Sequence, residues 1–186
     1  MPQKLLRKTL YLIPIIATLL FLQGCSTKYI ATSPEYADYG GEANQHRRLI
    51  NAERDRIFQI ITAEEEFRKI CPQGTIVSHK SATPYQVGTI VETKIDHLFN
   101  LDWRTQVVEN IPGKKIRLQF LDGFFAGGTE IWELNEAGNG TAVTHTIIVN
   151  PKGIIRKAAW NVKVRLKHDK MVEIVLDNLK ELCETS

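Results

Sequence analysis

The sequence predicts an α+β domain in which one antiparallel sheet of seven strands is covered by a long C-terminal helix. Three observations carry this expectation. Six strand-like runs follow one another between residues 75 and 149, separated by short turn signals, and a seventh at residues 47–51 precedes them. Residues 52–62 and 63–70 place apolar side chains at helical spacing, so two short helices stand between the first strand and the second. From residue 154 to about 183 the chain has no glycine or proline, as a long helix requires.

Taken in order, residues 52–62 carry Ile57, Phe58, Ile60 and Ile61 on one helical face. Glu64, Glu65 and Glu66 crowd the first turn of the second helix, where the dipole favours acids, and Thr62 is placed to cap it. Cys71-Pro72-Gln73-Gly74 ends that helix. Strands are expected at 75–81, 89–98, 103–110, 115–120, 129–135 and 141–149. Ile111-Pro112-Gly113-Lys114 and Ala137-Gly138-Asn139-Gly140 read as hairpin turns, and the Asn-Gly pair of the second suits a type I′ turn. Val91, Thr93, Ile95 and His97 alternate with Glu92, Lys94 and Asp96; Ile116, Leu118 and Phe120 alternate with Arg117 and Gln119. Val143, His145, Ile147 and Val149 form a third apolar row. A sheet with one apolar face has to cover it, and the C-terminal helix is the only large element available.

The N-terminus has a different character. Lys4, Arg7 and Lys8 precede an apolar run from residue 10 to 22 that is too short for a bilayer core and is interrupted by Pro14. The run ends in Leu22-Gln23-Gly24-Cys25, which resembles the lipobox of bacterial lipoproteins. That resemblance implies a cleaved leader at residues 1–24, diacylglycerol on the Cys25 thiol and acylation of the new amine. More than one acyl chain gives stable membrane attachment. Ser26 after the cysteine implies sorting to the outer membrane, facing the periplasm. Residues 25–45, with Tyr29, Tyr36, Tyr39, Pro34, Gly40 and Gly41, show no apolar period and are expected to form a tether. The domain is expected to span residues 46–186.

Of the 24 Lys and Arg, three lie in the leader, so 21 basic residues face 21 acidic ones in the remainder. A balanced chain of this kind is a poor nucleic-acid binder. The chain has no P-loop, Rossmann glycine fingerprint, His-Glu-x-x-His, Cys-x-x-Cys or Gly-x-Ser-x-Gly motif, so no cofactor is expected.

The order of strand, two short helices, six strands and long helix resembles the START-like, or SRPBCC, superfamily, which includes polyketide cyclase/dehydrase-type proteins. The similarity covers residues 46–184. It includes Arg56-Ile57-Phe58, Cys71-Pro72, Val87-Gly88-Thr89, Trp103 with Val107-Val108-Glu109, and Gly128-Thr129-Glu130-Ile131-Trp132-Glu133-Leu134 followed by Gly140-Thr141-Ala142-Val143. The resemblance implies the helix-grip fold, a curved sheet wrapped on the C-terminal helix with an elongated cavity between them. Val91, Ile95, His97, Trp103, Leu118, Phe120, Phe124, Phe125, Trp132, Val143, His145 and Ile147 are the candidate pocket residues. A wall of this composition suits a lipid, isoprenoid or aromatic ligand. The expected function is therefore a membrane-anchored periplasmic lipoprotein that binds a hydrophobic small molecule. The alternatives are a cyclase/dehydrase-type enzyme using the same cavity, or a non-catalytic piece of an envelope assembly.

Four further features bear on function. His79, His97 and His145 share the apolar face, but the resembled topology separates their strands; no metal is expected, and His97 or His145 is available to donate to a ligand. Asp102, Arg104 and Glu133 are not paired by spacing into an acid–base site. Phe124 and Phe125 sit between glycines and cannot both point inward from a regular strand, leaving either a gate or a bulge with one ring on the helix. Arg156, Trp160, Lys163, Lys167 and Lys170 are expected on one helical face as a membrane-surface candidate, in a stretch where residues 150–170 hold seven basic residues against Asp169 alone. The resemblance also implies that the short helices cradle the end of the long one, which brings Cys71 and Cys183 into one neighbourhood, as a disulfide or as two buried thiols.

Overall fold

The computed structural model describes residues 28–30, 34–81, 85–96 and 101–185. Eight strands run in chain order: β1 (Lys28–Ile30), β2 (Glu42–Ile50), β3 (Thr75–His79), β4 (Ile90–Ile95), β5 (Leu101–Ile111), β6 (Lys115–Phe120), β7 (Thr129–Ala137) and β8 (Gly140–Val149). Helices α1 (Arg54–Thr62) and α2 (Glu64–Ile70) lie between β2 and β3. The C-terminal rod is α3 (Ile154–Ala159), a π-helical turn (Trp160–Val164) and α4 (Arg165–Glu184). The sheet order is β1-β2-β8-β7-β6-β5-β4-β3, antiparallel throughout. All seven expected strands are present, and β1 is an added three-residue edge.

The chain crosses the sheet hairpin by hairpin from β3 to β8, and β2 returns to the free side of β8. A register shift on β5 between Val107 and Glu109 bends the strand. The sheet curls into a half-barrel around the rod. At one end of the concave face, Ile57, Ile60, Ile70, Leu176 and Leu179 are fully covered where α1 and α2 meet α4. Each such side chain contributes roughly 1.5–3 kcal/mol by leaving water. At the other end Trp103, Phe120, Phe125 and Trp160 form an aromatic cluster.

Several local expectations need correction. The domain does not begin at residue 46: β2 starts at Glu42, and a 3₁₀ turn at Pro34–Tyr39 precedes it. Tyr36 is buried there against Ala43, Ile131 and Ile148, and its hydroxyl donates to Glu133 at 3.2 Å. The start of β2 lacks an apolar alternation because its buried Asn44 and His46 are polar and bond to α4 instead. Thr62 does not cap α2; its hydroxyl donates back to the Phe58 carbonyl at 2.7 Å, and the extended Ala63 separates the two helices. The β7–β8 turn is Gly138-Asn139, closed by the pair Ala137↔Gly140, one residue earlier than the Asn-Gly pair suggested. Gly140 is needed for closeness instead, since a Cβ there would stand 2.3 Å from the Ile50 carbonyl oxygen. The rod is long as expected, but its helical ladder widens for one π turn at Trp160–Val164.

Candidate functional site

Two cavities lie between the concave face of the sheet and the rod. The inner one, about 90 Å³, is walled by strand residues such as Val77, Val91, Thr105 and Leu118, by Phe67 of α2, and by Val172 and Val175 of α4. The outer one, about 540 Å³, is walled by Ile95, Leu101, Phe125 and by Ala158, Ala159, Val162 and Val164 of the rod. Trp103 and Met171 belong to both walls, so these two side chains form the partition. The outer wall is almost wholly apolar, with Lys163, Lys167 and His168 as its charged or polar members.

The wall of the inner cavity includes a hydrogen-bonded polar group. On β7, Glu130 and Trp132 share a face by the two-residue period of the strand, and Trp132 pairs across to His145 on β8. The Trp132 indole donates to Glu130 Oε1 at 2.8 Å, and His145 Nε2 lies 3.1 Å from the same oxygen. Facing a carboxylate, Nε2 donates, and Nδ1 is buried without a hydrogen-bond partner among the described residues. Burial opposes ionisation of Glu130, but the hydrogen bonds from His145 and from the Trp132 indole hold its carboxyl below the usual range. Cys71 lines the same cavity, and burial, aided by the negative Glu130, pushes its thiol up to about 12. The thiol is therefore protonated and offers no thiolate nucleophile.

Behind this group lies a second polar cluster that ties β2 to α4. His46 is the register partner of His145, and its side chain is 0 % exposed. His46 Nδ1 lies 2.6 Å from Glu173 Oε1, and Nε2 lies 2.9 Å from Asn44 Oδ1 and 3.3 Å from Asp169 Oδ1. The Asn44 amide donates to Asp169 at 2.9 Å, which fixes its oxygen toward the ring. Both ring nitrogens thus face acceptors, the arrangement of an imidazolium. Burial works against that charge, yet the bonds and charges of Asp169 and Glu173 prevail and raise the pKa. Arg48 extends the cluster to Glu173 and Asp177 at 2.9 and 2.8 Å. His168 packs between His46 and His145, at ring separations of 5.9 and 5.7 Å, and burial drives it down to about 4, so it is neutral. His46, His168 and Asp169 place ligating atoms within 4.8 Å of one another, which is the geometry a metal would use. With His46 bonded through both nitrogens, the cluster is built to hold a proton.

No protein-family model matches the chain, and no curated protein matches it. Solved structures do. The TTHA0849 protein of Thermus thermophilus superposes with a TM-score of 0.64 at 17% identity, covering 77% of this chain and 99% of that one. Ara h 8.0201 superposes at 0.63 and 9% identity, covering 79% and 100%. The Aha1 dimer subunit from Colwellia psychrerythraea superposes at 0.59 and 18%, covering 76% and 96%. The chain has the helix-grip fold.

Within this helix-grip frame the pocket candidates divide. Val91, Trp103, Leu118, Trp132 and His145 line the inner cavity, and Ile95, Trp103 and Phe125 the outer one. Phe120, Val143 and Ile147 are buried in the core clusters and line neither of these cavities, because the strand face that points inward also packs against the rod. Phe124 is partly buried against Phe125, whose buried ring stacks edge-on with Trp160 and Trp103. The segment is the β6–β7 connection, with one ring anchored in the aromatic cluster. His97 and Cys25 lie outside the described residues.

Trp160 does not belong to the exposed face. It is 1 % exposed, and its indole donates to Glu42 at 3.0 Å. The apolar side chains presented to solvent are Ile154, Ile155, Val162 and Leu166, at 87, 86, 73 and 59 % exposure, among Arg156, Lys157 and Lys163. Asp102 and Arg104 do not reach either cavity, and Arg104 pairs with Asp122 at 2.6 Å. Cys71 and Cys183 both pack against the α1–α2–α4 core as free thiols. Glu130, His46, His168, Asp169 and Glu173 escaped sequence reasoning. For Glu130 the signal was its two-residue offset from Trp132; the others have none that a single sequence displays.

Proposed function

We propose that this protein is a membrane-anchored lipoprotein that holds a hydrophobic small molecule between its sheet and its C-terminal rod. The supporting observation is the outer cavity, whose volume of about 540 Å³ falls in the range of roughly 300–1,000 Å³ typical of ligand sites. Its rod-side wall is the same segment whose outer surface carries Ile154, Ile155 and Leu166 among basic residues, with the exposed Val162 at the rim of the cavity. A membrane-facing mouth explains that pairing: apolar side chains enter the interface, and Arg156, Lys163, Lys167 and Lys170 face anionic head groups. Anchoring follows from acylation of Cys25 and outer-membrane sorting from Ser26, with the domain in the periplasm. Among the described residues no helix is long and apolar enough to cross a membrane.

The cyclase/dehydrase reading has less support. Cys71 is protonated, and His145 Nε2 is engaged by Glu130. Organic extraction of the purified full-length protein, followed by mass spectrometry, tests the proposal. A stoichiometric apolar molecule, or uptake of one from added lipid extract, is the expected result. Recovery of neither would overturn it.

A further inference from the structure

The inner cavity raises a question that apolar burial alone does not answer. A lipid-binding chamber lined only by valine, leucine and phenylalanine would accept any oily end. This one has polar wall residues, among them His79, Tyr85 and Glu130, and the Glu130 side chain is only 18 % exposed, with its Oε1 fully used by His145 and Trp132. The second oxygen, Oε2, has no hydrogen-bond partner among the described residues, and it is not sealed off from free space. A carboxylate oxygen accepts only, so a ligand group that reaches it has to bring the donor.

We propose that Glu130 reads the polar end of the ligand, and that this end is a hydrogen-bond donor, a hydroxyl or an amine, on an apolar chain or ring. This rests on the ligand-binding reading above and narrows it. A carboxylic acid is disfavoured at pH 7, since its anion would face the Glu130 carboxylate across an apolar chamber where charge repulsion is weakly screened, and its neutral form is scarce at that pH. The dimensions agree. About 90 Å³ admits a head group and no more, whereas about 540 Å³ on the far side of Trp103 and Met171 receives the body. Met171, unbranched and flexible, is suited to turning aside as a chain threads between the two chambers. The holding of Glu130 in its ionised form by His145 and Trp132 supports the same assignment.

The test is a competition read by native mass spectrometry of the full-length protein, incubated with equimolar dodecanol, dodecylamine, dodecanoate and dodecyl methyl ether. The four share one chain and differ at the end. The alcohol or the amine should outcompete both the acid and the ether by at least tenfold in adduct abundance at pH 7. In Glu130→Gln, whose amide donates as well as accepts, the disadvantage of the acid should shrink to within about threefold. Equal occupancy by all four in the unmodified protein overturns the assignment while leaving the ligand-binding reading intact, and needs no variant to fold. Absence of every adduct overturns both.

Discussion

Replacing Glu173 by alanine removes the acceptor that sits 2.6 Å from Nδ1 of a histidine with no solvent exposure. It also strips one of the two carboxylates on Arg48, which keeps Asp177. Breaking one side of a fully buried pair typically costs about 3–5 kcal/mol. Glu173 is 22 % exposed, and Asp169 still faces the other ring nitrogen, so the expected loss is about 2–3 kcal/mol, or roughly 5–10 °C in Tm. The pH dependence distinguishes this from an ordinary truncation. The folded pKa of His46 is raised above its ordinary 6.5, so its stabilisation is fully present below that value and is lost as pH climbs through the folded pKa. The penalty of Glu173→Ala should therefore be largest near pH 6 and smaller near pH 9. Urea unfolding followed by circular dichroism at both values measures it. A loss below about 0.5 kcal/mol at pH 6, or equal losses at the two pH values, would refute the imidazolium clamp.

The remaining predictions concern other parts of the molecule. His168 is held neutral down to about 4, so the unfolded chain takes up its proton first as pH falls below 6.5; roughly 3 kcal/mol should be lost between pH 6.5 and 4, and His168→Phe should flatten that acid slope in urea midpoints. With a thiol near 12, Cys71 should alkylate at pH 8 at least a hundredfold more slowly than an exposed cysteine, as peptide mapping after iodoacetamide would show; rapid labelling contradicts the burial. Gly140→Ala should cost about 1–3 kcal/mol in thermal unfolding, since its Cβ meets the backbone of β2 rather than a movable side chain. Ile155→Trp in the full-length protein on vesicles should be quenched by brominated lipids, more strongly with anionic lipid, and Lys163→Glu with Lys167→Glu should reduce the quenching; quenching at the background of Trp103, Trp132 and Trp160 would remove the membrane-facing mouth.

The sheet was legible because its signal is local. At 115–120 the alternation of Ile116, Leu118 and Phe120 with polar neighbours, bounded by glycine turns, marks β6 to the residue. The same logic failed at β2, where Asn44 and His46 occupy inward positions that a search for apolar periodicity rejects. It failed in a second way at Trp160: a tryptophan among lysines reads as interfacial until Glu42, 118 positions earlier, is found hydrogen-bonded to its indole.

From the amino-acid order alone came the class of fold, the count of core strands, the covering helix, and the expectation of an acylated front end. These rest on periods of 2 and 3.6 residues and on turn chemistry, which neighbours in the chain decide among themselves. Tertiary structure decided which inward residues line the two cavities, that Glu130 stands in the wall of the inner one, and that His46 meets Glu173 across 127 positions. Pairing of β2 with β8 and docking of the rod bring those groups together. Buried polar groups select their partners by distance and orientation in space, and separation along the chain carries no record of either.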